Sequence, residues 1–193
     1  AEKYRHIFID HSNIFLGAQK LSTGTMDPVK LNIGQLARLL SSGSIGGLEK
    51  PGKRIIAGSR ASSRANMAAL WEEWRGAGFS VEVSERAPGQ GETHVDEFLH
   101  AQIYDCCLDE ERRFGHDFRV GRDTVVLVTG DGNDNGGRSS FTRLAQHVVR
   151  LGYRLELWAW AHTRSQRHRE LARGSSMVLA RDLDDFRAHL LAP

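Results

Sequence analysis

Apolar residues along this chain alternate between two spacings. Short runs with strand character fall at 4–9, 54–58, 79–83, 124–129 and 154–161. Each is a few residues long, rich in Val, Ile, Leu and aromatic side chains, and closed by small or polar residues. Between them lie stretches with helical spacing at 12–21, 33–40, 64–75, 95–110 and 140–151. On the stretch from 95, Val95, Phe98, Leu99, Ile103, Cys106 and Cys107 fall on one helical face. Gly76 and Gly78 supply the expected stop for the helix before 79. The Gly/Ser-rich segment 41–52 reads as a surface loop, and 109–123 as a charged connector. The tail adds a polar helix at 165–173, an apolar run at 177–180 and a last helix near 183–191.

Strands alternating with helices predict an α/β fold: a three-layer α/β/α sandwich around a mainly parallel central sheet. No repeat, low-complexity segment or composition break divides the chain, so one domain spanning 1–193 is expected.

Two of the predicted strands end on an aspartate. The first continues as Ile9-Asp10-His11-Ser12-Asn13, the second as Thr129-Gly130-Asp131. The carboxyl ends of neighbouring parallel strands form the ligand crevice of such sheets. Carboxylates gathered there repel one another unless a cation or a proton intervenes. Asp96 opens the predicted helix that enters from the same rim, and Asp134 follows Asp131 by three residues. A hard metal ion held by carboxylate oxygens and acting on a phosphate ester is the chemistry this pattern suggests. Each aspartate also has a plainer use. Asp10 suits a helix N-cap, Thr93 with Asp96 has the capping-box form, and Asp131 and Asp134 are ordinary turn residues.

The order and spacing of these segments resemble an NYN domain, a PIN-like nuclease. The resemblance rests on Phe8-Ile9-Asp10-His11-Ser12-Asn13, on Val95-Asp96 opening a helix, and on Leu127-Val128-Thr129-Gly130-Asp131 followed by a helix. Gly152-Tyr153-Arg154-Leu155-Glu156-Leu157-Trp158 is similar to the family's glycine followed by a strand. The resemblance covers roughly residues 4 to 173 and implies a metal-dependent endoribonuclease using Mg²⁺ or Mn²⁺ on single-stranded RNA. It gives Asp10, Asp96 and Asp131 metal-ligand roles. Asn13 would orient a ligand or phosphate, with Asp134 or Glu97 as an outer helper. The chain departs from the family at Asn133, where a second aspartate is expected. That departure leaves open an RNA-binding or protein-interaction module with a degenerate site.

Net charge is +2 with a pI near 8.7, too mild to argue for a polyanionic partner by itself. Local placement says more. Arg60 and Arg64 follow the second strand, Arg86 precedes Asp96, and Arg138 and Arg143 follow Asp131. His162, Arg164, Arg167, His168 and Arg169 follow the fifth strand. All fall on the predicted carboxyl rim, where Arg60, Arg64, Arg86, Arg138 and Arg164 would meet RNA phosphates. Glu72, Glu73 and the segment 110–113 read as plain surface. Trp71, Trp74, Trp158 and Trp160 read as packing residues rather than base-stacking platforms.

Other chemistries fit less well. The segment from Gly132 to Ser139 approaches a P-loop, but Arg138 replaces its lysine and Asp134 would face the phosphates. Ser12 stands where a haloacid-type phosphatase would need its second aspartate, and no G-x-S-x-G elbow occurs. Cys106 and Cys107 are adjacent without metal-binding spacing and read as reduced buried thiols. No apolar run approaches a membrane span and no h-region begins the chain, so an intracellular protein of cytoplasm or nucleus is expected, with no membrane partner. A homodimer is compatible with the sequence, which names no protein partner.

Overall fold

The computed structural model describes residues 3–21, 30–42, 49–60, 67–85, 93–114, 123–130, 134–135 and 139–192. Within them the side chains of Arg60 and Asp134 are not described, whereas their backbones are.

The chain runs β1 (Lys3–Asp10), α1 (His11–Lys20), β2 (Lys30–Leu31), α2 (Ile33–Ser41), β3 (Glu49–Arg60), α3 (Met67–Gly76), β4 (Ser80–Glu85) and α4 (Thr93–Phe114). It continues with β5 (Thr124–Val128), β6 (Asp134–Asn135), β7 (Ser139–Ser140), α5 (Phe141–Arg150), β8 (Arg154–Ala159), α6 (Gln166–Gly174) and β9 (Val178–Asp182). It closes with α7 (Arg187–Leu190) and β10 (Leu191–Ala192). Two single-turn 3-10 helices, Ala161–Thr163 and Leu183–Phe186, join these elements.

Six strands form one sheet in the order β4-β3-β1-β5-β8-β9, and every pairing in it is parallel. The order grows outward from β1 in both directions, so the chain reverses its course between β1 and β5. Right-handed crossovers then place the helices of the two halves on opposite faces. Side-chain alternation along β1 shows this. Ile7 and Ile9 pack with Ile14, Leu36, Trp71 and Trp74 of α1, α2 and α3. Phe8 packs on the other face with Leu99, Ile103, Leu144 and Val148 of α4 and α5. Each fully buried aliphatic or aromatic side chain contributes roughly 1.5–3 kcal/mol. All four tryptophans and both cysteines are buried, and the cysteines are free thiols. Burial pushes both thiols upward, Cys107 to about 12, so they stay protonated.

Several boundaries differ from the sequence pattern. The expected loop at 41–52 already becomes β3 at Glu49. There Glu49, Lys50 and Pro51 pair with Lys3, Tyr4 and Arg5, and the register then shifts before Ile7 pairs with Arg54. Gly52 belongs in this strand because a Cβ there would strike the ring of His6. The expected connector at 109–123 begins as the last turn of α4, which runs to Phe114. The apolar run at 177–180 is the sixth strand, β9, added to the edge beside β8. The expected helix near 183–191 is shorter, because Leu191 and Ala192 pair with Leu31 and Lys30. Among the described residues, no helix is long and apolar enough to cross a membrane.

Candidate functional site

The reversal between β1 and β5 is the place where sheets of this kind form their ligand crevice, at the carboxyl ends of the two strands. Two hydrogen bonds stitch its walls together, and a third fixes the start of α1. The Asp10 carboxylate caps α1 by accepting from the Asn13 N–H at 3.3 Å. Its second oxygen accepts from the Thr129 hydroxyl at 3.3 Å. The Asn13 side-chain oxygen in turn accepts from the Gly130 N–H at 2.8 Å. Asp10 and Asn13, the first and last residues of the Asp10-His11-Ser12-Asn13 motif, are therefore tied to the end of β5, which leads in sequence into Asp131.

The far wall is equally fixed. The Gly130 carbonyl accepts from the Ser165 N–H at 2.7 Å, and a Cβ on Gly130 would strike the Thr163 carbonyl. Trp160 holds the same wall to α1 by donating from its indole N–H to the Ile14 carbonyl at 3.0 Å. Asp10, at the carboxyl end of β1, is buried at 6 % exposure. A carboxylate in such a place can hold a hard cation through oxygen, and Asp10 and Asn13 offer that donor type.

His11 follows Asp10 and faces away from the crevice. Its ring stacks on Phe15 and meets Trp71 edge-on, with ring centroids 4.8 Å apart. Burial lowers its pKa to about 4, so the imidazole is neutral, and its Nε2 has no hydrogen-bond partner among the described residues. Asp96 lies half-buried in the first turn of α4, behind Val95, which packs with Phe8 and Ala57.

Not every expected site residue can be placed. Asp131, Arg64, Arg86 and Arg138 lie outside the described residues, as does Asn133. Arg60 ends β3, and Asp134 pairs with Ser140 in a small antiparallel ribbon. Arg164 is fully placed, and its charge is used internally. It donates to Asp182 at 3.1 Å and to the Leu157 carbonyl at 3.1 Å, and also to the Arg181 carbonyl. Its side chain is 1 % exposed, and burial lowers its pKa against the pull of Asp182. This arginine anchors the β8–α6 connection to β9 instead of presenting itself at the rim.

A second polar cluster lies toward the amino end of the sheet. His6, Glu110 and Asp123 are buried, with donor atoms within 4.8 Å of one another, a set that could hold a metal ion by residue type and spacing. Glu110, read from the sequence as plain surface, belongs instead to the interior, and so does Asp123 from the expected connector. The Lys53 N–H donates to His6 Nδ1 at 3.0 Å, which places the imidazole proton on Nε2. Nε2 then donates to Glu110 at 2.7 Å. The Tyr153 hydroxyl donates to the other Glu110 oxygen at 2.8 Å, and the Tyr4 N–H donates to Asp123 at 2.9 Å. A metal on Nε2 would require the proton on Nδ1, where two N–H groups would then face each other. The cluster is accordingly built around protons. Burial, joined by the neighbouring Glu110 charge, pushes Asp123 up to about 7. Burial also raises Glu110, but hydrogen bonds from His6, Asp123 and Tyr153 outweigh it and hold Glu110 at about 2.

The fold class is thus a doubly wound parallel α/β sheet with a stitched crevice at its reversal point. No protein family, curated protein or solved structure matches the chain.

Proposed function

We propose that this protein is a metal-dependent endoribonuclease of the NYN, PIN-like type, acting on single-stranded RNA at the carboxyl rim. The observation that carries the reading is the bonding of Asp10 and Asn13 to Thr129 and Gly130 across the reversal point. That bonding joins two of the segments on which the resemblance rests, the one from Phe8 to Asn13 and the one from Leu127 to Asp131. Asp10, Asp96 and Asp131 would hold Mg²⁺ or Mn²⁺, with Asp134 as an outer partner. A bound ion of this kind lowers the pKa of a water and neutralises charge on the phosphate and leaving oxygen. Asn13 keeps the β5 end in register with Asp10, so that neighbouring carboxylates share one cation. Arg60, Arg64, Arg86 and Arg138 would meet the phosphates of the strand. The choice of RNA over DNA rests on the family resemblance. An intracellular location is part of the same proposal and agrees with two buried free thiols.

The test is cleavage of an end-labelled single-stranded RNA with Mn²⁺, Mg²⁺ or EDTA, with Asp10→Asn and Asp131→Asn beside the parent. Metal-dependent cleavage lost in both variants is the expected result. Equal cleavage by the variants would remove the site assignment. Binding of RNA without cleavage would favour the second reading, a binding module whose site has decayed, for which Asn133 is the supporting residue.

A further inference from the structure

A groove of about 580 Å³ that the proposed function leaves unused lies between α2 and α3, at the amino end of the sheet. Its α2 wall presents Ala37, Arg38 and Ser41, which helical spacing brings to one face. Its α3 wall presents Glu73 and Ala77, and Arg54 of β3 forms part of the floor. The carbonyls ending α3 are satisfied by their own turn, since Ala77 N–H donates to Glu73 and Phe79 N–H to Trp74. They do not compete for the arginines.

Arg54 is the telling residue. It is half-buried, its guanidinium sits 5.9 Å from the Phe79 ring centre, and its Nε is sequestered without a hydrogen-bond partner. Arg54 and Arg38 both lack an ion-pair partner among the described residues, although Glu73 lines the same groove. Other interior arginines are fully used: Arg5 is bidentate to Glu156 at 2.7 Å, and Arg164 is held by Asp182. A sequestered guanidinium donor without an acceptor is costly, and such a group calls for a ligand or another explanation. The exposed Arg38 and the half-buried Arg54, neither ion-paired among the described residues, supply in one groove the planar donor forks that match phosphate oxygens. The volume exceeds what a phosphate alone would fill and lies in the usual range for small-molecule sites. The flat walls of Ala37 and Ala77 suit an apolar ring, and the Glu73 carboxylate can accept from a hydroxyl or an exocyclic amine.

We propose that the α2–α3 groove binds a nucleoside monophosphate, with its phosphate on Arg38 and Arg54 and its base between Ala37 and Ala77. The site lies away from Asp10 and is independent of the nuclease reading. Arg54 pairs in register three residues before Ala57, the partner of Asp10, so roughly 10 Å of strand separates the two levels.

The test uses the whole chain in EDTA, so that metal-dependent binding at the carboxyl rim is absent. Titration with AMP, inorganic phosphate and adenosine is followed by calorimetry and thermal melting. AMP is expected to bind saturably, more tightly than phosphate, with adenosine alone much weaker. Arg54→Gln and Arg38→Gln should each weaken AMP by about tenfold or more, the size expected for one lost charge-assisted contact. Without ligand Arg38→Gln should melt like the parent, having no ion pair among the described residues to lose, and Arg54→Gln, which gives up its contact with the Phe79 ring, should melt slightly lower. Asp10→Asn should bind AMP as the parent does. Absence of saturable AMP binding, or binding that persists in the Arg38→Gln/Arg54→Gln double variant, would overturn the site. Equal affinity for phosphate and AMP would overturn its assignment to a nucleotide.

Discussion

The two ends of strand β1 carry acidic groups of opposite character. At the carboxyl end, Asp10 accepts two bonds of 3.3 Å from neutral donors, beside a crevice where the chain reverses. Toward the amino end, Glu110 accepts bonds of 2.7 and 2.8 Å from His6 and Tyr153 inside the core. There Asp123 keeps its proton up to about pH 7. One end holds its carboxylate with an amide and a hydroxyl at the rim of the sheet, and the other has closed its valences with protons and hydroxyls inside the core. Residue type alone does not separate them, since both contain aspartate near glutamate or asparagine. What separates them is the direction of the surrounding donors.

The closed cluster should show the largest effect on stability. Glu110→Ala leaves the His6 N–H and the Tyr153 hydroxyl buried without their acceptor, at a cost of roughly 3–5 kcal/mol. Chemical denaturation measures it directly. A loss below about 1 kcal/mol would mean that water reaches the cluster, and the contrast between the two ends would fail. Asp10→Asn should behave in the opposite way. Asparagine caps helices as well as aspartate does, so the fold should stay within about 0.5 kcal/mol. RNA cleavage, on the proposed function, should fall by about a hundredfold or more, since even outer partners of a metal are worth tenfold to hundredfold.

The same contrast has a pH signature. Asp123 is raised from its ordinary value of 3.8 to about 7, so the folded state holds this proton more tightly than the unfolded chain. The stability it contributes is fully present below about pH 4 and is lost as pH rises to about 7. Glu110 is lowered from 4.5 to about 2, so its contribution is present above about 4.5 and lost as pH falls toward 2. Between about pH 5 and 6.5 the fall from Asp123, up to about 1.4 kcal/mol per pH unit, is offset by His11, whose pKa is lowered from 6.5 to about 4 so that its contribution rises with pH; above about 6.5 the Asp123 effect stands alone. Asp123→Asn fixes the protonated shape and should remove this contribution, so that in denaturation curves stability between about pH 5 and 6.5 rises more steeply with pH in the variant than in the parent. An unchanged slope would place the titrating proton elsewhere.

The sequence made the carboxyl rim visible because its signals are local. An apolar strand ending on aspartate, followed within three residues by asparagine, is readable in one window. The parallel strands were legible for the same reason, as period-two or continuous apolar runs between helical stretches. The amino-end cluster is assembled from β1, β3, α4, the approach to β5 and the residue before β8. Its members stand up to 147 positions apart, from His6 to Tyr153. Only His6, a polar residue within an apolar strand, gave a hint. Glu110 and Asp123 looked like surface charge because they lie in a stretch dense with charged residues. Arg164 misleads in the reverse way. Its position after β8 suits a rim residue, yet Asp182, eighteen positions on, draws it inward. The start of β3 was hidden by Pro51 and Gly52, breakers in isolation that a register shift and the nearby His6 ring make acceptable in the strand.

The smallest expected effect gives the sharpest test of which end takes a metal. A cation that binds only the folded chain stabilises it in proportion to the logarithm of its concentration over Kd. For weak binding at millimolar Mn²⁺ this amounts to about 1 kcal/mol, a rise of roughly 2–4 °C for a chain of this size. On the proposed function the rise should vanish in Asp10→Asn and persist in Glu110→Gln, which keeps a side-chain oxygen for the His6 N–H. The reverse result would mean that Mn²⁺ displaces the shared proton between Glu110 and Asp123. The Lys53 N–H would then have to release His6 Nδ1, and the Lys53 amide should exchange faster in the metal-bound protein. Slow exchange at Lys53, together with a rise that depends on Asp10, would locate the metal at the carboxyl rim and leave the amino end to its protons.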